Sequence, residues 1–170
     1  MKPETITKQI FKIIPALLLV TLSAFLLQGD VWTFWTWYLL ALVLGAAAMP
    51  LTGRLFRRFQ DRGWMFSKVT AIAVSGFLTW FLVAVKIIKF TTMTCIVVTL
   101  VCAAASLILY CREQKAGFEC IPFAHLDLVY AEELLFFTAF LLWTYFAGFH
   151  PAAYGTEKFM DYGFMEAMMR

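Results

Sequence analysis

The sequence predicts an all-α integral membrane protein with about five transmembrane helices, its N-terminus inside and its C-terminus outside. Three observations predict it. Of the 170 residues, 62% are hydrophobic and only 15% are charged, whereas a soluble domain is about 45–50% apolar and about 25% charged. The apolar residues gather in five runs close to the roughly 20 residues that a bilayer crossing needs. Lys and Arg gather in alternate connecting segments, the signature of a fixed orientation.

The first run extends from about Ile10 to Gln28. Lys2, Lys8 and Lys12 precede it, as basic residues precede a signal peptide. No clear small-x-small cleavage site follows, and a second run opens within a few residues, so a retained helix is expected. The second run, Trp32 to Leu51, begins with the aromatic cluster Trp32, Trp35, Trp37 and Tyr38, which suits a membrane interface. The third spans Val69 to Ile88, the fourth Thr91 to Tyr110, and the fifth about Leu126 to Phe149. No run alternates like a strand. Lipid admits only helices or closed barrels, and continuous apolar runs of this length mean helices. Residues 1–150 therefore read as a transmembrane helical domain, with spans at about 10–28, 32–51, 69–88, 91–110 and 126–149. Residues 151–170 read as an external tail with a short interfacial helix.

With the N-terminus in the cytoplasm, the inside segments carry ten basic residues: Lys2, Lys8, Lys12, Arg54, Arg57, Arg58, Arg62, Lys68, Arg112 and Lys115. The outside segments carry four: Lys86, Lys89, Lys158 and Arg170. This bias sets the orientation and predicts a multi-pass protein of the cell membrane. It also explains the net charge of +3. No Lys/Arg run alternates with aromatics in a polar stretch, so membrane lipid is the expected partner and nucleic acid is not. In the loop from Thr52 to Trp64 the arginines suit anionic head groups, while Leu55, Phe56 and Phe59 are placed to dip into the interface. That loop reads either as a topology determinant or as a lipid-phosphate site.

The cysteines give no framework. Cys95 and Cys102 share a helical face in an apolar run, and Cys111 and Cys120 flank a polar loop, with no Cys-x-x-Cys and no His at zinc spacing. Nothing points to a transporter either, because no repeat appears and no run is broken midway by Gly/Pro pairs.

Two places carry polar residues that need a reason. Glu132 and Glu133 lie near the cytoplasmic start of the fifth span. Intramembrane carboxylates are costly and usually face protein or water. Neighbouring helical residues point about 100° apart, so the pair cannot share one partner. One is expected to snorkel or to pair with a basic loop residue. The spacing of His125, Asp127 and Glu132 does not put all three on one face, and no metal site is expected from them.

The second place is the tail, Tyr154 to Arg170. Gly155 and Thr156 read as a turn and a helix N-cap. Glu157 and Asp161 then stand at i and i+4, on a stripe that Phe164 and Met168 continue. Two carboxylates roughly 6 Å apart suit a divalent cation, or one suits a general base. Lys158 beside them suits a phosphate. A capped interfacial helix whose first acid favours the helix dipole accounts for the same residues. No cofactor motif is evident.

The stretch Gly155-Thr-Glu-Lys-Phe-Met-Asp-Tyr-Gly-Phe-Met165 resembles a motif of large multi-pass proteins of bacteria and archaea, the YYY membrane proteins (Chlor-Arch-YYY), named after a Tyr-Tyr-Tyr motif further on. Met49-Pro-Leu-Thr-Gly-Arg-Leu-Phe, Asp61-Arg-Gly-Trp and Ser67-Lys resemble the same family, as does Glu133-Leu-Leu-Phe-Phe-Thr-Ala-Phe-Leu-Leu-Trp143. The likeness covers most of 41–170, apart from the fourth span and the loop after it. That family is of unknown function and is distantly similar to GT-C glycosyltransferases, which move sugar from a polyprenyl-phosphate donor at the external face. The resemblance implies that Asp161 and Glu157 are catalytic, with Asp161 first, and that Lys158 contacts the substrate phosphate. The chain stops at Arg170, before the Tyr-rich region and the later helices. The resemblance therefore implies an N-terminal portion, inactive in isolation. The alternative is a non-catalytic scaffold or subunit that packs against other transmembrane helices.

Overall fold

The computed structural model describes residues 3–117, 123–149 and 166–167, without the side chains of 3–12 and 123. The described residues are helical, with no strand among them. Five long helices follow one another: α1 (Pro3–Leu27), α2 (Val31–Leu55), α3 (Trp64–Ala84), α4 (Thr92–Lys115) and α5 (Leu126–Gly148). Short 3-10 turns at Gln28–Asp30 and Phe123–His125 lead into α2 and α5. All five apolar runs of the sequence are thus helical. Among the described residues three stretches are long and apolar enough to cross a membrane: Ile13–Leu55, Trp64–Ala84 and Thr92–Lys115. The first is 43 residues long and contains α1 from Ile13 onward together with α2, which the 3-10 turn separates. α5 has 23 residues, but Asp127, Glu132 and Glu133 hold its hydropathy down, and it is not one of the three.

The ends of the helices have local causes. α3 stops at Ala84, before Ile88, because the chain turns through a Schellman motif. The amide of Lys86 donates to Val83 O at 2.9 Å and that of Ile87 to Leu82 O at 3.0 Å. Lys86 takes the left-handed conformation, φ 59°. α4 starts at a Thr91 N-cap, whose hydroxyl accepts from the Thr94 amide at 3.2 Å. α3 also starts earlier than its apolar run, at Trp64. Gly63 precedes it at φ 76°, and a Cβ there would lie 2.6 Å from the Phe56 ring. Phe56 stacks on Phe59 and Phe66, so the aromatic residues of the 56–63 loop form a cluster of their own.

α2, α3 and α4 pack together, while α1 packs chiefly on α5. The core lies where α1, α2 and α5 meet: Phe34, Tyr38, Phe137 and Leu141 are buried there, with Leu19, Leu22 and Leu26 against them. The Phe137 ring meets Tyr38 and Phe34 edge-on, with centroids at 4.8 and 5.4 Å. Most of the remaining surface is apolar; Leu17, Phe25, Trp80, Leu100, Leu107 and Trp143 are all exposed. Hydroxyls inside the helices bond to their own backbone. Thr36, Ser75, Thr79, Thr99, Thr138 and Thr144 each donate to the carbonyl four residues back, at 2.8 Å. That habit satisfies a polar side chain where no water is at hand.

Candidate functional site: a buried polar cluster between α2, α3 and α5

The cluster forms around Glu133, on the third turn of α5. Its two carboxylate oxygens accept three hydrogen bonds from residues far apart in the chain. Tyr38 Oη donates to Oε1 at 2.7 Å, while Trp64 Nε1 and Lys68 Nζ donate to Oε2 at 2.9 and 2.6 Å. Lys68 is 3% exposed and makes an ion pair with Glu133. A buried ammonium is costly unless paired, and Glu133 supplies the pair. The rings of Trp64 and Phe136 add two cation–π faces, 5.0 and 4.5 Å from the Lys68 nitrogen.

Local sequence explains how the donors converge. Trp64 and Lys68 are four residues apart and share a face of α3. Gly45 lets α2 approach that face: a Cβ at this position would lie 2.8 Å from both Lys68 Cγ and Ser67 Oγ. Ser67 turns its hydroxyl back to the Trp64 carbonyl at 2.7 Å.

Glu132 points elsewhere, as the helical angle requires. It lies beside Asp61, close enough for the two carboxylates to act on each other. Asp61 is 6% exposed. Oε2 of Glu132 is buried without a hydrogen-bond partner. Asp61 comes from the turn between α2 and α3, so that turn lies against α5.

Sequence reasoning singled out Glu132 and Glu133, and the structure brings them into one cluster with Asp61, Trp64, Lys68 and Tyr38. The charge bias places Lys68 among the basic residues of an inside segment; the structure buries it on α3. The Trp64–Lys68 spacing was the available signal for this, since two polar-ended side chains on one face of an apolar helix need a common partner. Asp161, Glu157 and Lys158 lie outside the described residues. Among the described residues no group of three or more His, Cys, Asp or Glu side chains is placed to hold a metal ion.

A second polar contact joins α2 and α4 at the basic end of the bundle. Glu113 accepts from Arg54 at 3.1 Å and from Arg57 at 3.2 Å. Both guanidinium groups are about half exposed, which is where an ion pair adds little stability.

A helical bundle with an apolar surface, helix hydroxyls bonded to their own backbone and, among the described residues, a buried Lys68–Glu133 ion pair is the build of a membrane-embedded protein. The family described as "Uncharacterized membrane protein (DUF2298)" matches residues 74–170, more than half of the chain. The chain belongs to that family. No curated protein matches it, and no solved structure does.

Proposed function

We propose that this chain is a membrane-embedded part of a lipid-linked glycosyl-transfer protein of the YYY type. It crosses the bilayer five times, N-terminus inside, and holds its tail at the external face of the cell membrane. There Asp161 acts as the base or metal-linked acid, Glu157 assists it, and Lys158 meets the phosphate of a polyprenyl-phosphate sugar. A divalent cation between the two carboxylates fits the same arrangement. The observation that carries this reading is the Glu157-Lys-x-Met-Asp161 element, which falls inside the family match at 74–170. The Lys/Arg bias supports it independently by directing the same segment outward. The buried cluster supports the mechanical side: by fastening α5 to α2 and α3 it fixes the helix that leads into the tail.

The test is Asp161→Asn in the complete protein. Transfer of sugar from the lipid-linked donor is expected to vanish while insertion and abundance stay at wild-type levels. Wild-type transfer by the variant would sink the catalytic assignment. The second reading, a scaffold or subunit packed against partner helices, is favoured by the exposed apolar faces of α1, α3 and α4. It predicts that a further multi-pass protein co-purifies in fixed stoichiometry and that Asp161→Asn leaves the partner's activity intact.

A further inference from the structure

Between α2, α3 and α4 runs an apolar groove that the packing leaves open. It consists of two cavities of about 220 and 400 Å³, which share Leu44, Ser75 and Thr99. On α4 its wall extends from Cys95 to Leu109. At about 1.5 Å per residue that is about 20 Å, somewhat more than one leaflet of the roughly 30 Å hydrocarbon core. Small side chains make the room, among them Ala47, Ala71 and Ala103.

Two features define what would fill it. The first is the rim. The stripe Leu44, Ala47, Leu51 on α2 continues to Arg54, and the stripe Cys102, Ser106, Leu109 on α4 continues to Glu113. Arg54 and Glu113 are ion-paired across the end of the groove. Around them Arg57, Arg58, Arg112 and Lys115 are exposed, so the groove opens beneath a strongly basic surface. The second is Ser106. It is 6% exposed, lines the groove, and has a hydroxyl without a hydrogen-bond partner, whereas Thr99, two turns earlier on the same face, donates to its own backbone. Ser106 lies seven residues before Glu113, about 10 Å below the rim.

We propose that the groove holds one acyl chain of an anionic phospholipid. The phosphate sits on the arginines of the rim, Arg54 and Arg58 foremost, and the ester carbonyl accepts the Ser106 hydroxyl. A pure hydrocarbon or an apolar partner helix would leave that hydroxyl unpaired and would make no use of the basic rim. Its head-group end is at the opposite end of α4 from the loop that joins it to α3, and the site does not depend on the glycosyl-transfer reading.

The test uses the full chain in nanodiscs of phosphatidylcholine with a trace of phosphatidylglycerol carrying a mid-chain diazirine. After illumination, crosslinks are mapped by mass spectrometry. Labelling is expected on groove residues such as Ala71, Ser75 and Ala103, and not on the outward-facing Leu100 and Leu107. Unlabelled phosphatidylglycerol should compete at about tenfold lower concentration than phosphatidylcholine of the same chains. The surface variant Arg54→Gln with Arg58→Gln should abolish that preference while labelling of the groove itself persists. Ser106→Ala should weaken labelling without moving it. Labelling spread evenly over all lipid-facing residues, or equal competition by the two lipids, would overturn the proposal. So would protection of the groove residues from labelling in nanodiscs that hold two copies but not in those that hold one, which would make a second chain the occupant.

Discussion

Glu133 collects three donors on two oxygens, so each donor has its own measurable worth. Lys68→Met leaves a largely enclosed carboxylate without its counter-charge. It should lower stability by about 3–5 kcal/mol, read as a fall in Tm in detergent. Tyr38→Phe removes a single hydrogen bond to a charged group and should cost about 1.5–3 kcal/mol. Lys68→Met combined with Glu133→Leu should recover part of the loss, because no orphaned charge remains; a double variant as unstable as the sum of the two would contradict the pairing. The need for a partner at Glu133 was legible in the sequence, since a carboxylate in an apolar run demands one. Its identity was not. Lys68, Trp64 and Tyr38 lie 65, 69 and 95 residues away, and no local pattern spans such distances. Lys68 reads as a loop cation because it adjoins the basic loop, and only the approach of α2 at Gly45 buries it.

The helices themselves were largely legible, because apolar runs of about 20 residues have one solution in lipid. Their ends were less so. Ile87 and Ile88 extend the third run by composition, yet the chain leaves α3 at Ala84 through Lys86, a residue that carries no turn signal. Glycine suits the left-handed position better, so Lys86→Gly should raise stability by up to about 1 kcal/mol. The opposite change at the opposite kind of position, Gly63→Ala, should lower it by at least about 1–2 kcal/mol. It would place a Cβ against Phe56 in a left-handed backbone. Equal effects of the two substitutions on Tm would contradict the assigned geometry. α3 starts ahead of its apolar run for a related reason: Ser67 and Lys68 look like loop residues, but their polar groups find partners inside the bundle.

At the scale of the whole molecule, composition alone conveyed the solvent and the fold class, because this much apolar surface has no place in water. Which helix packs on which was not legible. All five present apolar residues around most of their circumference, so periodicity names no preferred face, and α1 settles chiefly on α5 through contacts with Phe137 and Leu141 as neighbours. Residues 154–165, which carry the proposed catalytic element, lie outside the described structure. Their side of the membrane rests on the charge bias.

That side is the central claim, since a donor sugar presented outside can meet Asp161 only if the tail is outside. Cysteine accessibility in intact cells measures it directly. In one chain Cys111, exposed at the basic end of α4, is the sole cysteine; in another, the sole cysteine replaces Ala152. Each is treated with a membrane-impermeant maleimide before and after permeabilisation. The account predicts that position 152 is labelled in intact cells and Cys111 only after permeabilisation. Labelling of Cys111 in intact cells, with position 152 protected until the membrane is opened, would contradict it.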